Sequence, residues 1–236
     1  DLVTGVQTCA LPISGEETDF YFLKIDNQGT VIWEDAWGFS LNDQCGQIIA
    51  YEHGYAVVGT TGDILSGNSD LYVLALTEDG TVFESKDWEN NGNTSGASIV
   101  RTNDGFLVTG TLNSTGKNQI FCSSLSENFQ NKNWEKFYGT TSNHSANSIL
   151  KTDTENFLIC GASEKNQGNG SDQFIMNISS NGDTLWTNTF GHIDQDQASY
   201  AMELTDGSYA VLGSTSFDNN QMISLIKTNE NGRINE

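Results

Sequence analysis

Proline is almost absent from this chain of 236 residues: Pro12 stands alone beside 24 glycines, and 10 Lys and Arg face 31 Asp and Glu. Nucleic acids and anionic lipid surfaces recruit clustered Lys and Arg, so a net charge of −21 excludes them as partners. No apolar run approaches the roughly 18 residues of a membrane helix, which excludes insertion by that route. The sequence has no Gly-x-Ser-x-Gly elbow, phosphate loop or dinucleotide fingerprint, and it lacks Cys-x-x-Cys and His-x-x-His pairs. The nucleophile, nucleotide and zinc chemistries that such motifs carry are therefore not expected. What is present is enough apolar material for a core, 36% hydrophobic and 10% aromatic, so a folded chain is expected despite the charge.

The opening segment Val3-Thr-Gly-Val-Gln-Thr-Cys-Ala-Leu-Pro-Ile13 resembles the translation of a common short-read sequencing adapter. Residues 1–14 are accordingly expected to be an adapter-derived artefact, with the protein's own repeats occupying 15–236. That exclusion removes the lone proline and Cys9. It leaves Cys45, Cys122 and Cys160 at non-equivalent positions without a disulfide framework, which favours buried free thiols.

Aligned against itself, the remaining sequence shows a period of about fifty residues. Gly59, Gly110, Gly161 and Gly213 each close an apolar run, such as Tyr55-Ala-Val-Val or Phe157-Leu-Ile-Cys. A second column holds Trp37, Trp88, Tyr138 and Phe190, four residues after Trp33, Glu84, Trp134 and Trp186. A third holds the turn glycines Gly29, Gly80, Gly182 and Gly232, with Phe129 in the odd repeat. Agreement of three columns on one period outranks any single motif. Each unit reads strand, turn, strand, with Asp-Gly and Asn-Gly corners that specify antiparallel hairpins. Asp70-Leu-Tyr-Val-Leu-Ala-Leu76 is apolar on both faces and needs cover on both sides, which neighbouring blades of a propeller provide. The expected fold is all-β: a β-propeller of four-stranded antiparallel blades, with complete blades over 44–88, 95–138 and 146–190 and incomplete ones at either end. Six such units would need more residues than the chain has, so an incomplete fragment of a larger ring is expected, with blade faces left open.

Phe22-Leu-Lys-Ile-Asp26, Gly29, Trp33, Trp37-Gly38 and Asp104-Gly-Phe-Leu-Val-Thr-Gly110 together resemble the repeats of secreted and surface β-propeller proteins of the Bacteroidetes. The resemblance covers about residues 18–236 and implies an exported protein, located extracellularly or on the outer cell surface, with protein or glycan partners there.

The aromatic columns are read as packing between blades, because a position repeated in each unit serves the repeat first. The acids nearest to a calcium arrangement are Asp194 and Asp196, but without the ordered Asp-x-Asp-x-Asp-Gly spacing no metal site is assigned, Ca²⁺ remaining the one ion considered. His53, His144 and His192 occupy different places in their repeats and read as solvated loop residues. No catalytic residue and no ligand-binding residue is singled out. The leading expectation is a non-catalytic scaffold or interaction module of an exported bacterial surface protein, and not an enzyme. The alternatives are a glycan- or calcium-binding propeller, and a fragment of a propeller enzyme of quinoprotein or polysaccharide-cleaving type.

Overall fold

A computed structural model describes residues 6–14, 17–38, 42–63, 68–89, 92–114, 116–139, 142–164, 170–192, 194–218 and 220–234. It consists of five consecutive antiparallel sheets and no helix among those residues. The first sheet holds β1 (Val6–Ser14), β2 (Glu17–Ile25) and β3 (Val31–Trp37). The second holds β4 (Gln44–Tyr51), β5 (Gly54–Asp63), β6 (Asn68–Leu76) and β7 (Val82–Trp88). The third holds β8 (Asn93–Thr102), β9 (Gly105–Asn113), β10 (Asn118–Leu125) and β11 (Lys132–Tyr138). The fourth holds β12 (His144–Lys151), β13 (Phe157–Glu164), β14 (Ser171–Ile178) and β15 (Thr184–Phe190). The fifth holds β16 (Gln197–Glu203), β17 (Tyr209–Phe217) and β18 (Asn220–Lys227). The chain is an arc of β-propeller blades.

In each complete sheet the strands pair in sequence order. The opening strands β4, β8, β12 and β16 neighbour one another from sheet to sheet, which places them innermost. The tryptophan-bearing strands β7, β11 and β15 form the outer edges. Val6–Ser14, within the segment read as adapter-derived, pairs with β2 through backbone groups, a role open to any extended segment; Asp1–Gly5 lie outside the described residues.

The core lies between the sheets, with one apolar layer at each junction. Phe20 and Phe22 pack on Tyr72 and Leu74, and Leu71 and Val73 on Phe106, Val108 and Phe121. Ile120 and Cys122 pack on Ile159 and Phe174, and Cys160 and Ile175 on Tyr209 and Val211. Odd and even positions of one strand thus serve opposite junctions, the two-sided burial that its sequence demands. Cys45, Cys122 and Cys160 form no disulfide with one another; Cys122 and Cys160 are buried and Cys45 is half-buried. Burial pushes the Cys160 thiol up to about 12 and Cys122 upward as well, so both stay protonated and inert at neutral pH.

Two backbone devices recur. The inner strand bulges opposite the glycine column, with register shifts at Cys45/Gln47, Gly96/Ser98, Ala146/Ser148 and Ala198/Tyr200. The bulged carbonyl turns into the space a side chain would occupy: a Cβ at Gly110 would lie 1.9 Å from the Ser95 oxygen. Glycine is required there by close approach. The second device is the turn glycine, with φ of +89° at Gly80 and +76° at Gly182, where the tryptophan of the preceding sheet lies against its Cα. A Cβ would come within 2.8 Å of the Trp33 ring at Gly80, 2.8 Å of Trp134 at Gly182 and 2.3 Å of Trp186 at Gly232. The aromatic column at Trp33, Trp134 and Trp186 is therefore blade-to-blade packing.

Candidate functional site

One junction departs from this rule. Between the second and third sheets the tryptophan position holds Glu84 and the turn-glycine position holds Phe129. Phe129 adopts φ +57°, a conformation unfavourable for a residue with a Cβ. It is fully buried, with its ring centroid 4.9 Å from that of Phe106. The aromatic bulk has moved from the outer strand to the turn. Glu84 is freed to accept a hydrogen bond from Gln130 Nε2, Gln130 lying in a turn one residue longer than its counterparts.

The exchange leaves a groove of about 520 Å³, walled by Tyr51 and Phe83 and edged by His53, Glu84, Glu127 and Asn128. Apart from Glu84 on β7, its polar residues come from two hairpin turns. Tyr51, Glu52 and His53 sit at the β4–β5 corner, and Glu127 sits at the β10–β11 corner. Arg101, at the end of β8, joins them: Nη2 donates to Glu52 Oε1 at 2.5 Å and to Glu127 Oε1 at 3.0 Å. The guanidinium also lies over the Phe106 ring at 4.9 Å and the Tyr51 ring at 5.8 Å, a stacking geometry available to Arg. His53 Nε2 lies 3.6 Å from Glu127 Oε1, and its ring meets Tyr51 edge-on at 5.6 Å. The Arg101 hydrogen bond holds the Glu52 carboxyl below its ordinary range. Burial, with a contribution from Glu127, pushes the Tyr51 hydroxyl up, which keeps Tyr51 a hydrogen-bond donor at neutral pH.

The equivalent groove between the first and second sheets is closed by its own contacts. There Glu78, the counterpart of Glu127, accepts from Lys24 Nζ at 2.7 Å and Tyr55 Oη at 3.0 Å, and Trp33 Nε1 donates to the Glu78 carbonyl at 3.0 Å. Between the third and fourth sheets Trp134 fills the corresponding place at the edge of an open cleft of about 680 Å³. Among the described residues, only the second junction combines an exposed Phe83, a half-buried Tyr51, an imidazole and an Arg-bridged carboxylate pair. Such a site can stack on sugar faces and exchange hydrogen bonds with hydroxyls.

Glu52, His53 and Glu127 offer ligand atoms within 4.8 Å of one another, the one grouping of its kind among the described residues. All three are exposed, and Arg101 already occupies both carboxylates. Asp194 is exposed on its loop, and Asp196 is buried. The Asp196 carboxylate accepts from Thr215 Oγ1, from Ser216 N at 3.2 Å and from His192 N at 2.6 Å, so it fastens the entry of β16 to β17. At the opposite end of the sheets, His144 is half-buried against Phe174, and burial holds its imidazole below the usual range. His53 is solvated as the sequence implied. Its partner Glu127, which comes from the next repeat, is not visible there; the available signal is the Glu84/Phe129 irregularity.

No protein-family model matches the sequence, and no curated protein does. Among solved structures, the chain is similar to an ulvan lyase of a new polysaccharide lyase family bound to -[GlcA(1-4)Rha3S]-, with TM-score 0.60 and 8% identity. The match covers 92% of this chain and 60% of the lyase, so the chain spans less than two thirds of that enzyme's length. An endo-arabinase from Bacteroides thetaiotaomicron VPI-5482 aligns over 96% of this chain and 94% of its own at TM-score 0.47 and 11% identity. The likeness to the lyase establishes a shared fold. It also corrects two expectations from the sequence, that of a non-catalytic scaffold and that of a protein that is not an enzyme. The finding that sets both aside is that the fold neighbour is a polysaccharide lyase.

Proposed function

We propose that this chain is the propeller portion of a polysaccharide-cleaving enzyme and that the groove between its second and third sheets holds a sugar of the substrate. The observation that carries the reading is the fold shared with the ulvan lyase over 92% of the chain. The chemistry of the groove supports it: Tyr51 and Phe83 offer apolar ring faces, and His53, Glu84 and Asn128 offer donors and acceptors for hydroxyls. A net charge of −21 and an Arg101 already neutralised by two carboxylates favour an uncharged glycan, since uronate or sulfate groups would be repelled. The resemblance to Bacteroidetes surface propellers supports action outside the cell, and residues 1–14 are proposed to be adapter-derived.

Affinity electrophoresis through gels containing neutral or uronate-bearing polysaccharides tests this. Retardation is expected in at least one neutral gel, weakened about tenfold or more in Tyr51→Ala and Phe83→Ala variants that keep wild-type unfolding midpoints. Release of new reducing ends from the retarding polysaccharide is expected as well. Equal migration in every gel, with no ends released, would sink the reading.

A further inference from the structure

The fifth sheet carries, on the side away from the fourth, an apolar face that no described residue covers. Leu212 in β17 and Ile223 and Leu225 in β18 are 45%, 84% and 74% exposed. The strand registers identify their counterparts, because Gly213 pairs with Ser224 as Gly59 pairs with Tyr72, Gly110 with Phe121 and Gly161 with Phe174. Leu212 corresponds to Val58, Thr109 and Cys160; Ile223 to Leu71, Ile120 and Gln173; Leu225 to Val73, Cys122 and Ile175. Each counterpart is buried beneath the sheet that follows it. The closest chemical match is the second sheet, whose Ala56, Val58, Leu71 and Val73 are repeated here as Ala210, Leu212, Ile223 and Leu225. There the covering side is Ile99, Phe106, Val108 and Phe121 of the third sheet.

We infer that the open face of β16–β18 is a docking surface for one further blade of this same repeat, which covers it with an aliphatic and aromatic set like that of the third sheet. The argument rests on continuity: the three sheets before it build their following junctions on these positions, and the face of the fifth sheet repeats their pattern. Leu212, Ile223 and Leu225 line none of the cavities described above, which distinguishes the face from a small-molecule site. Asp206, Asp218 and Glu230 lie on the same sheet and its flanking turns, and their charge opposes an anionic lipid surface.

The test is to extend the full chain beyond Glu236 by a second copy of residues 85–138, which continues in register because Glu236 corresponds to Glu84, and which carries that covering set. Hydrogen exchange at the amides of Ile223–Leu225 is expected to slow about tenfold or more on extension. Binding of a hydrophobic dye is expected to fall, and neither change should occur when the host carries Ile223→Lys and Leu225→Lys. Dye binding by the unextended chain, lost in the same double variant, locates the face independently of whether the added blade folds. The inference is overturned if extension leaves exchange and dye binding unchanged. It is also overturned if sedimentation shows the unextended chain already covering this face with a second copy of itself.

Discussion

Gly110→Val is expected to unfold the chain or to cost it more than about 4 kcal/mol. The Cβ alone would stand 1.9 Å from the Ser95 oxygen, 2.9 Å from the Ser95 carbon and 2.8 Å from the Phe121 ring. Two of these atoms belong to backbone held by the β8–β9 ladder, so no side-chain rotation relieves the clash. The ladder would have to open at the bulge between Gly96 and Ser98. That bulge faces the second sheet, where a Cβ at Gly96 would meet the Gly59 carbonyl at 2.4 Å. Valine at position 110 therefore strikes two packed sheets at once. Gly116 is the control: an added Cβ would meet nothing within 4 Å there, although φ is +76°. Alanine at that position is expected to cost only about 1–2 kcal/mol, from backbone strain alone. Urea unfolding monitored by tryptophan fluorescence measures both. A near-neutral Gly110→Val would contradict the bulge geometry.

Exchanging the aromatic at the second junction gives the other large effect. Phe129→Gly removes a fully buried ring, a loss of about 3–5 kcal/mol, offset by about 1–2 kcal/mol from relieving a left-handed backbone. Glu84→Trp alone places an indole against an occupied turn and costs about 1–3 kcal/mol by overpacking. Together the two changes recreate the pair seen at Trp33/Gly80 and Trp134/Gly182. The double variant is expected to be more stable than the sum of the single effects predicts, by more than about 1 kcal/mol. Additivity within about 0.5 kcal/mol would show that the two positions do not share one space. The double variant is also expected to lose glycan retardation, because the indole would fill the groove.

The sequence disclosed what the repeat controls. Period, strand order and the complete sheets follow from columns such as Gly59, Gly110, Gly161 and Gly213 and from strands apolar on both faces, because each unit solves the same packing problem. The Trp33, Trp134 and Trp186 column could be read as packing for the same reason. The groove was not legible, since its parts occupy unlike places in two successive repeats: Tyr51 and His53 in one, Arg101 and Glu127 in the next. Only folding brings a β4–β5 corner beside a β10–β11 corner. The irregular Phe129 was visible in the sequence, but its complement Glu84 stands 45 residues earlier and gains meaning only once a turn is known to lie against the preceding outer strand. Function is less legible than fold for a related reason. Absence of a short catalytic motif weighs little in a fold that assembles its sites from separate blades.

The claim at the centre of this account is that the junction where the repeat is broken is where the protein meets its glycan. The most direct measurement is an amide chemical-shift titration of the full chain with the neutral oligosaccharide selected by the retarding gel. The account predicts saturable shifts concentrated at Tyr51, His53, Phe83, Glu127 and Asn128, with those around His144 and Glu164 at the opposite end of the sheets unmoved. Saturable shifts clustered elsewhere, with the amides of Tyr51 to His53 unchanged, would contradict it.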